Sequence, residues 1–462
     1  MTDTSMTDTS MARDQETRRY PLSLTQEWFL AMDRGDDGHG PFGPRYLIVS
    51  ALRVTGHVDT GVLQGALDDV VARHELLRTV VVGDADPPCQ LVCPPCRVPL
   101  EVRDLPRDAG PPRDMAVQEL IAEAQAGTVS AREVPLLRAL LCRFDDRDSA
   151  LLLAVHHSVS DGWSVQVILR DLGAFYAARA SGAAPKLPEM RQYREYAQWQ
   201  RASAASPDDE AALEYWAGKL DGAREFVVPN DHGRPGRYSR PYSLHVFMIE
   251  ADTMAAAAAL ATAARSTRFM VMLSAVYVLA SQITGGTDLT VQAVTSGRNE
   301  PAFHNTMGMF LNRVPFRTEI GDCASFRDVV RKTRDTFIDA MANELPASVL
   351  ERAFPDYIGP RGDARMSQFL VLQPPAQYGE MIIPVAEGAR ETDEVLLEEP
   401  ETTDILGGTE WHLNAQPDGT LSGAVHYHRD EFEDSTVRGW AAALRRILAG
   451  AVRDPGGAWR RL

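Results

Sequence analysis

His156-His157-Ser158-Val159-Ser160-Asp161-Gly162 follows the apolar run Leu151-Leu152-Leu153-Ala154-Val155 and precedes a helical pattern. A strand that ends in two histidines, followed by a turn, an acid and a glycine, holds side chains rigidly beside an opening. One imidazole placed there can take a proton from an attacking hydroxyl or amine near neutral pH. Strand alternation sends neighbouring side chains to opposite faces, so one histidine is structural and the other meets substrate. His157 is the better candidate for the reacting ring. Asp161 either caps the next helix or pairs with an arginine and locks the turn. Gly162 removes a side chain where backbone must pass close to a ligand, and the amides of the helix start favour developing negative charge.

The surroundings of this stretch predict mixed α and β structure. Residues 136–144 and 150–156 read as two strands joined by Asp145-Asp146-Arg147-Asp148, and Val165, Ile168, Leu169 and Leu172 recur at helical spacing after the motif. Upstream, Ser23 or Thr25 caps a short helix, 46–54 is a strand, and Asp59 caps a helix whose apolar face is Leu63, Ala66, Leu67, Val70 and Val71. A strand begins at Val80 and a helix covers 114–126. Residues 178–190 have linker composition. Beyond them, helices are expected at 192–204, 208–220, 253–265, 269–284 and 325–343, with strands at 287–293, 366–373 and 420–427. A last helix is expected with Asp434 or Ser435 as its cap. The acidic stretch 387–404 reads as a solvated loop.

Composition narrows the function classes. The chain has 462 residues, 44% of them hydrophobic and 24% charged, which is ordinary for a globular protein. A formal net charge of −17 opposes nucleic acid and anionic membrane as partners. The polar start, with MTDTS repeated, is expected to be a disordered leader or an alternative start outside the fold; neither a signal core nor a long apolar span is present, so a cytoplasmic location is expected. The five cysteines, an odd number, are expected to be reduced thiols. Cys89, Cys93 and Cys96 lack a second CxxC pair and a fourth ligand, so no metal site is expected.

The motif resembles the HHxxxDG signature of condensation domains of nonribosomal peptide synthetases, which related acyltransferases share. Other segments resemble that family's markers in order from about residue 20 to 455. They are Pro21-Leu22-Ser23 with Gln26, Arg73-His74-Glu75-Leu76-Leu77-Arg78-Thr79, Pro135-Leu136-Leu137-Arg138, Tyr196-Ala197-Gln198-Trp199-Gln200, Tyr215-Trp216 and Pro229-Asn230-Asp231. Thr284-Gly285-Gly286-Thr287-Asp288, Ser296-Gly297-Arg298 and Gly308-Met309-Phe310-Leu311-Asn312 with Pro315 and Arg317 complete the series.

The resemblance implies an α+β fold of two chloramphenicol-acetyltransferase-like lobes in a V-shaped pseudo-dimer, with the histidines at their junction and a tunnel entered from both faces. The expected division is an N-terminal lobe at 20–180, a linker at 181–195 and a C-terminal lobe at 196–462. His157 and Gly162 become the catalytic motif residues. His156, Asp161 and Arg298 become its structural frame, with Arg298 reaching Asp161 from the second lobe. Trp163 and Ser164, beside the motif, and Asn312 are candidate substrate-binding residues; core packing is the alternative role for the first two.

The implied donor is an acyl or aminoacyl thioester on the phosphopantetheine of a peptidyl carrier protein, with no cofactor bound to the chain itself. The acceptor is a soluble small-molecule alcohol or amine, as in free-standing condensation enzymes of enediyne-type natural-product biosynthesis. Such carriers are acidic, so a chain at −17 must dock them through a local arginine patch or apolar contacts. Gln373-Pro374 departs from the family's Gln-Asn, and Trp28 from an arginine-containing pattern. An Asp-rich cyclisation motif and an acidic epimerisation segment are missing, which disfavours those activities. A coenzyme A- or carrier-dependent O-acyltransferase and a non-catalytic carrier-docking scaffold are the competing readings.

Overall fold

The protein is described from a computed structural model covering residues 18–33, 40–105, 113–203, 207–223, 225–233, 235, 242–355, 357, 366–372, 388–391, 408–416 and 418–462. Helices and mixed sheets alternate along the chain, an α+β fold. Contacts divide it into two compact units. The first holds residues 1–203, 298–310 and 378–403; the second holds 204–297, 311–377 and 404–462.

The first unit contains strands β1 (Arg18–Pro21), β2 (Leu47–Thr55), β3 (Thr79–Val82), β4 (Cys89–Val92), β5 (Leu100–Asp104), β6 (Leu137–Asp145) and β7 (Asp148–His156). Its helices are α1 (Leu24–Met32), α2 (Thr60–Arg73), α3 (Arg113–Ala126), α4 (Gly162–Ser181) and α5 (Tyr193–Ser203). A five-stranded sheet runs from the short strand Gly388–Glu391 through β2, β7 and β6 to β5. β7 sits inside it, antiparallel to both neighbours, with Leu47 opposite His156. Its alternation is strict. Leu151, Leu153 and Val155 join a core shared with Leu63, Ala66, Leu67, Val70 and Val71 of α2 and with Val165, Ile168, Leu169 and Leu172 of α4. Ala150 and Leu152 face the other way, against Val117 and Leu120 of α3. Each large apolar side chain so buried contributes roughly 1.5–3 kcal/mol, so β7 is fixed from both faces and its end cannot wander.

The caps of α1 and α2 are residues the sequence advertises. Ser23, and not Thr25, caps α1, with a reciprocal bond from the Ser23 amide to the Gln26 side chain at 2.9 Å. Asp59 caps α2 by accepting from the amides of Gly61 and Val62. Gly182, in the left-handed conformation at φ 71°, ends α4.

The second unit is built on a seven-stranded sheet. Its long strands are Tyr242–Ile249, Asp288–Thr295, Asn312–Glu319, Met366–Leu372, Thr409–Ala415 and Leu421–His428. Helices Ala251–Ala263, Arg268–Thr284, Phe326–Ala342 and Asp434–Arg453 supply its core, with Val271, Leu273, Val330, Leu444 and Leu448 inside. At the last helix Glu433 occupies the cap position, without a side-chain cap bond, in place of the expected Asp434 or Ser435. Among the described residues no single helix is long and apolar enough to cross a membrane. One helix pair among the described residues passes on length and composition together, but it is bent by 103°, and its second member lies in the core.

The expected boundary moves. α5 belongs with the first unit, because Tyr193 and Tyr196 are buried in its core. Residues 298–310 return to the first unit as well. There Asn305 donates to Glu189 O (3.1 Å), Thr306 Oγ1 donates to Arg191 O (2.8 Å), and Tyr193 Oη donates to Met309 O (2.8 Å). Most of the acidic stretch and the dipeptide Gln373-Pro374 lie outside the described residues, although 388–391 is a strand, not the expected loop.

Candidate active site

β7 ends at His156, and a single 3-10 turn, His157–Val159, leads to the cap of α4. The two rings then part company. His156 is fully buried. Its Nε2 donates to Gly43 O at 2.9 Å, and its Nδ1 accepts from the Ser158 hydroxyl at 2.7 Å and the Ser158 amide at 3.2 Å. Both nitrogens are spent on backbone and turn, and burial pushes the ring down to about 4. It stays neutral and acts as a strut.

His157 is half-buried. Its Nδ1 donates to Ser160 O at 2.9 Å, which fixes the tautomer: in the neutral ring the lone pair sits on Nε2. Its backbone amide donates to Tyr46 O at 2.7 Å, and the Tyr46 ring stacks on the imidazole with centroids 4.5 Å apart and planes 11° from parallel. An imidazole held in this tautomer is competent to accept a proton.

Asp161 resolves the two roles left open by its position, because it fills both. Its Oδ1 accepts from the Ser164 amide at 2.8 Å, the N-cap bond of α4. Arg298 spans the same carboxylate, NH1 to Oδ2 at 2.6 Å and NH2 to Oδ1 at 3.1 Å. The Phe310 amide also donates to Oδ2, at 3.2 Å. Neither charged side chain is more than 1% exposed. A charge pair so thoroughly desolvated is tolerable only when its hydrogen bonds are nearly complete. The guanidinium also lies 4.1 Å from the Phe310 ring centroid. The predicted Asp161–Arg298 pairing is therefore present, with one correction: Arg298 opens the segment that packs into the first unit, and does not reach in from the second.

The candidate substrate residues fare differently. Ser164 is fully buried. Its hydroxyl lies 2.7 Å from Asp161 Oδ1 and 2.8 Å from Gly308 O, and accepts from the Gly308 amide at 2.9 Å. It is a fastener and has no surface for a ligand. Trp163 is half-buried, and its indole N–H donates to His304 O at 2.9 Å. Asn312 lies in the second unit and spends its amide there: Nδ2 donates to Glu344 Oε1 (2.8 Å) and Leu345 O (2.9 Å), and Oδ1 accepts from the Ala347 amide (2.8 Å). Those three bonds make it an anchor for the loop at 344–347. Gly162 is the exposed first residue of α4, so backbone is open to solvent beside the motif.

Sequence reasoning missed Tyr46. Its only signal was an aromatic residue at the start of the strand paired with β7. Cys89, Cys93, Cys96, Cys142 and Cys323 are all free thiols. Among the described residues no cluster of three or more His, Cys, Asp or Glu side chains is disposed to hold a metal.

A family model for the condensation domain matches residues 16–462. The chain belongs to the condensation-domain family, acyltransferase-like enzymes of nonribosomal peptide synthesis. It is 30% identical over 441 residues to chondramide synthase cmdD of Chondromyces crocatus, covering 94% of this chain and 11% of the synthase. It is 30% identical over 467 residues to a dimodular nonribosomal peptide synthase of Bacillus subtilis, covering 96% of this chain and 19% of that protein. The chain thus spans only 11% and 19% of the length of these two relatives. The crystal structure of SgcC5 from Streptomyces globisporus, in complex with (R)-(-)-1-(2-naphthyl)-1,2-ethanediol and sucrose, is similar at a TM-score of 0.87 and 35% identity, over 95% of this chain and 100% of that one.

Proposed function

We propose that this chain transfers an acyl or aminoacyl group from a phosphopantetheine thioester on a peptidyl carrier protein to a hydroxyl or amine of a small soluble acceptor. The product is an ester or an amide of natural-product biosynthesis. The observation that carries this reading is the state of His157, with Nδ1–H committed to Ser160 O and the lone pair placed on Nε2. Nε2 takes the nucleophile's proton as the nucleophile attacks the thioester carbonyl. The tetrahedral intermediate collapses, the C–S bond breaks, and the carrier thiolate leaves with the proton returned from His157. His156, Asp161 and Arg298 act on the fold around this ring, and Gly162 keeps backbone amides approachable at the start of α4.

The hydroxyl version is favoured by SgcC5, whose bound ligand is an aryl 1,2-diol. A hydroxyl also needs a base more than a neutral amine does. The five free thiols support work in a reducing, cytoplasmic setting.

The test is incubation of the purified chain with a panel of aminoacyl carrier proteins and paired aryl 1,2-diol and aryl amine acceptors, read by intact mass of carrier and product. Transfer to a diol with discharge of the carrier is expected. His157→Ala should lower that rate by about 10²–10⁴, and lower amide formation less. Full activity in His157→Ala, or discharge to water alone with every acceptor, would overturn the reading.

A further inference from the structure

We infer that Tyr46 is a positioning residue for His157, setting both the plane of the imidazole and its basicity. This inference rests on the proposed base role of His157. Tyr46 stands immediately before β2, at the end of a turn in which its own amide donates to Gly43 O at 3.0 Å. Both motif histidines grip that turn. His156 Nε2 donates to Gly43 O, and the His157 amide donates to Tyr46 O. The Tyr46 ring is thereby fixed against the reacting ring, face to face at 4.5 Å. It also meets the His156 ring edge-on at 6.4 Å. Phe29, buried on α1, packs against it at 6.2 Å and 78°, so the tyrosine is wedged in place.

Two consequences follow from this arrangement. The Nδ1–Ser160 bond fixes one edge of the imidazole but leaves it able to rock about that bond; the stacked phenol ring resists the rocking. A π face within about 6 Å of a cation also stabilises it. His157 becomes cationic when Nε2 takes up a proton, so the stacked face favours the protonated state and raises the basicity of Nε2. The hydroxyl of Tyr46 is not needed for either effect; the ring is.

The experiment compares Tyr46→Phe and Tyr46→Leu by two readouts. The first is NMR titration of the His157 ring in the isotopically labelled full chain, which needs no substrate. Tyr46→Phe should titrate as the wild type does, and Tyr46→Leu should titrate about half a pH unit lower. The second is the pH profile of carrier discharge to an aryl 1,2-diol. Tyr46→Leu should lower kcat by about tenfold with donor KM within twofold, and move the acid limb down with the ring. Tyr46→Phe should restore both. Thermal melts identify any variant that fails to fold; in that case Tyr46→Met, which keeps bulk without the ring's π face, replaces leucine. An unchanged His157 titration in a folded ring-deleted variant overturns the inference, as does Tyr46→Phe behaving like the leucine variant. Loss of the base reading itself would show separately, as full activity in His157→Ala.

Discussion

Arg298→Met is the sharpest test of how the motif is held. The carboxylate of Asp161 accepts five bonds: two from Ser164, two from Arg298 and one from the Phe310 amide. Methionine keeps much of the arginine stem against Phe310 but removes both guanidinium bonds. Charge-assisted bonds contribute roughly 1.5–3 kcal/mol each, and breaking a buried ion pair from one side costs about 3–5 kcal/mol. We expect a loss of about 4 kcal/mol. Asp161→Asn/Arg298→Met removes the stranded charge and keeps an amide side chain able to cap α4. It should recover more than half of the loss, for a coupling of at least about 2 kcal/mol. Two units make a single unfolding curve ambiguous, so the assay is native-state hydrogen exchange at the Phe310 and Ser164 amides, both of which donate to Asp161. Since about 1.4 kcal/mol is a factor of ten, protection at Phe310 should fall by roughly a thousandfold. Protection within threefold of wild type in Arg298→Met, or no recovery in the double variant, would refute the claim that this pair holds 298–310 to the motif.

Other outcomes follow from the same geometry. His156 is held at about 4 by burial, below its unfolded value of 6.5, so the unfolded chain binds the extra proton between these limits. Its contribution is complete above pH 6.5 and is lost as pH falls toward 4, by about 3 kcal/mol in all. His156→Gln should flatten that part of the stability–pH curve measured by denaturant. Ser164→Ala should cost about 1–3 kcal/mol through the bonds to Asp161 and Gly308 while leaving acceptor KM within twofold; a selective rise in KM would restore a substrate role. Asn312→Ala should likewise destabilise the second unit, seen as faster exchange at the Ala347 amide, without a change of acceptor preference. At Gly308 an added Cβ would lie 2.1 Å from Tyr193 Cδ2. Gly308→Ala should therefore cost about 1–3 kcal/mol or more by overpacking, with a lowered melting temperature as the readout.

Much of the site was legible because its signals are local. The apolar run into His156, the D-x-x-S spacing that makes Asp161 a cap, and the periodic faces of α2 and α4 each depend on neighbours within a few residues. The same cap spacing contained a warning about Ser164: the third residue of a helix points back toward its cap, where a hydroxyl is consumed. β1, β4 and β5, with four, four and five residues, escaped notice because strands so short carry too few alternations to count. Tyr46 and the return of 298–310 were illegible for another reason. They are long-range facts, set by strand register and by which surface a loop buries. The motif resemblance supplied Arg298 as Asp161's partner, but no local pattern says on which side of the boundary its chain packs.

That return has a practical meaning for anyone rebuilding such enzymes. A fragment ending at Ser203 looks like half a molecule in sequence, yet it would carry Asp161 without its counter-ion and Tyr193 without its Met309 acceptor. Chimaeras spliced near the apparent linker would unite an acid from one parent with a guanidinium from the other. Grafts that transplant 298–310 together with the amino-terminal portion keep the inherited pair matched.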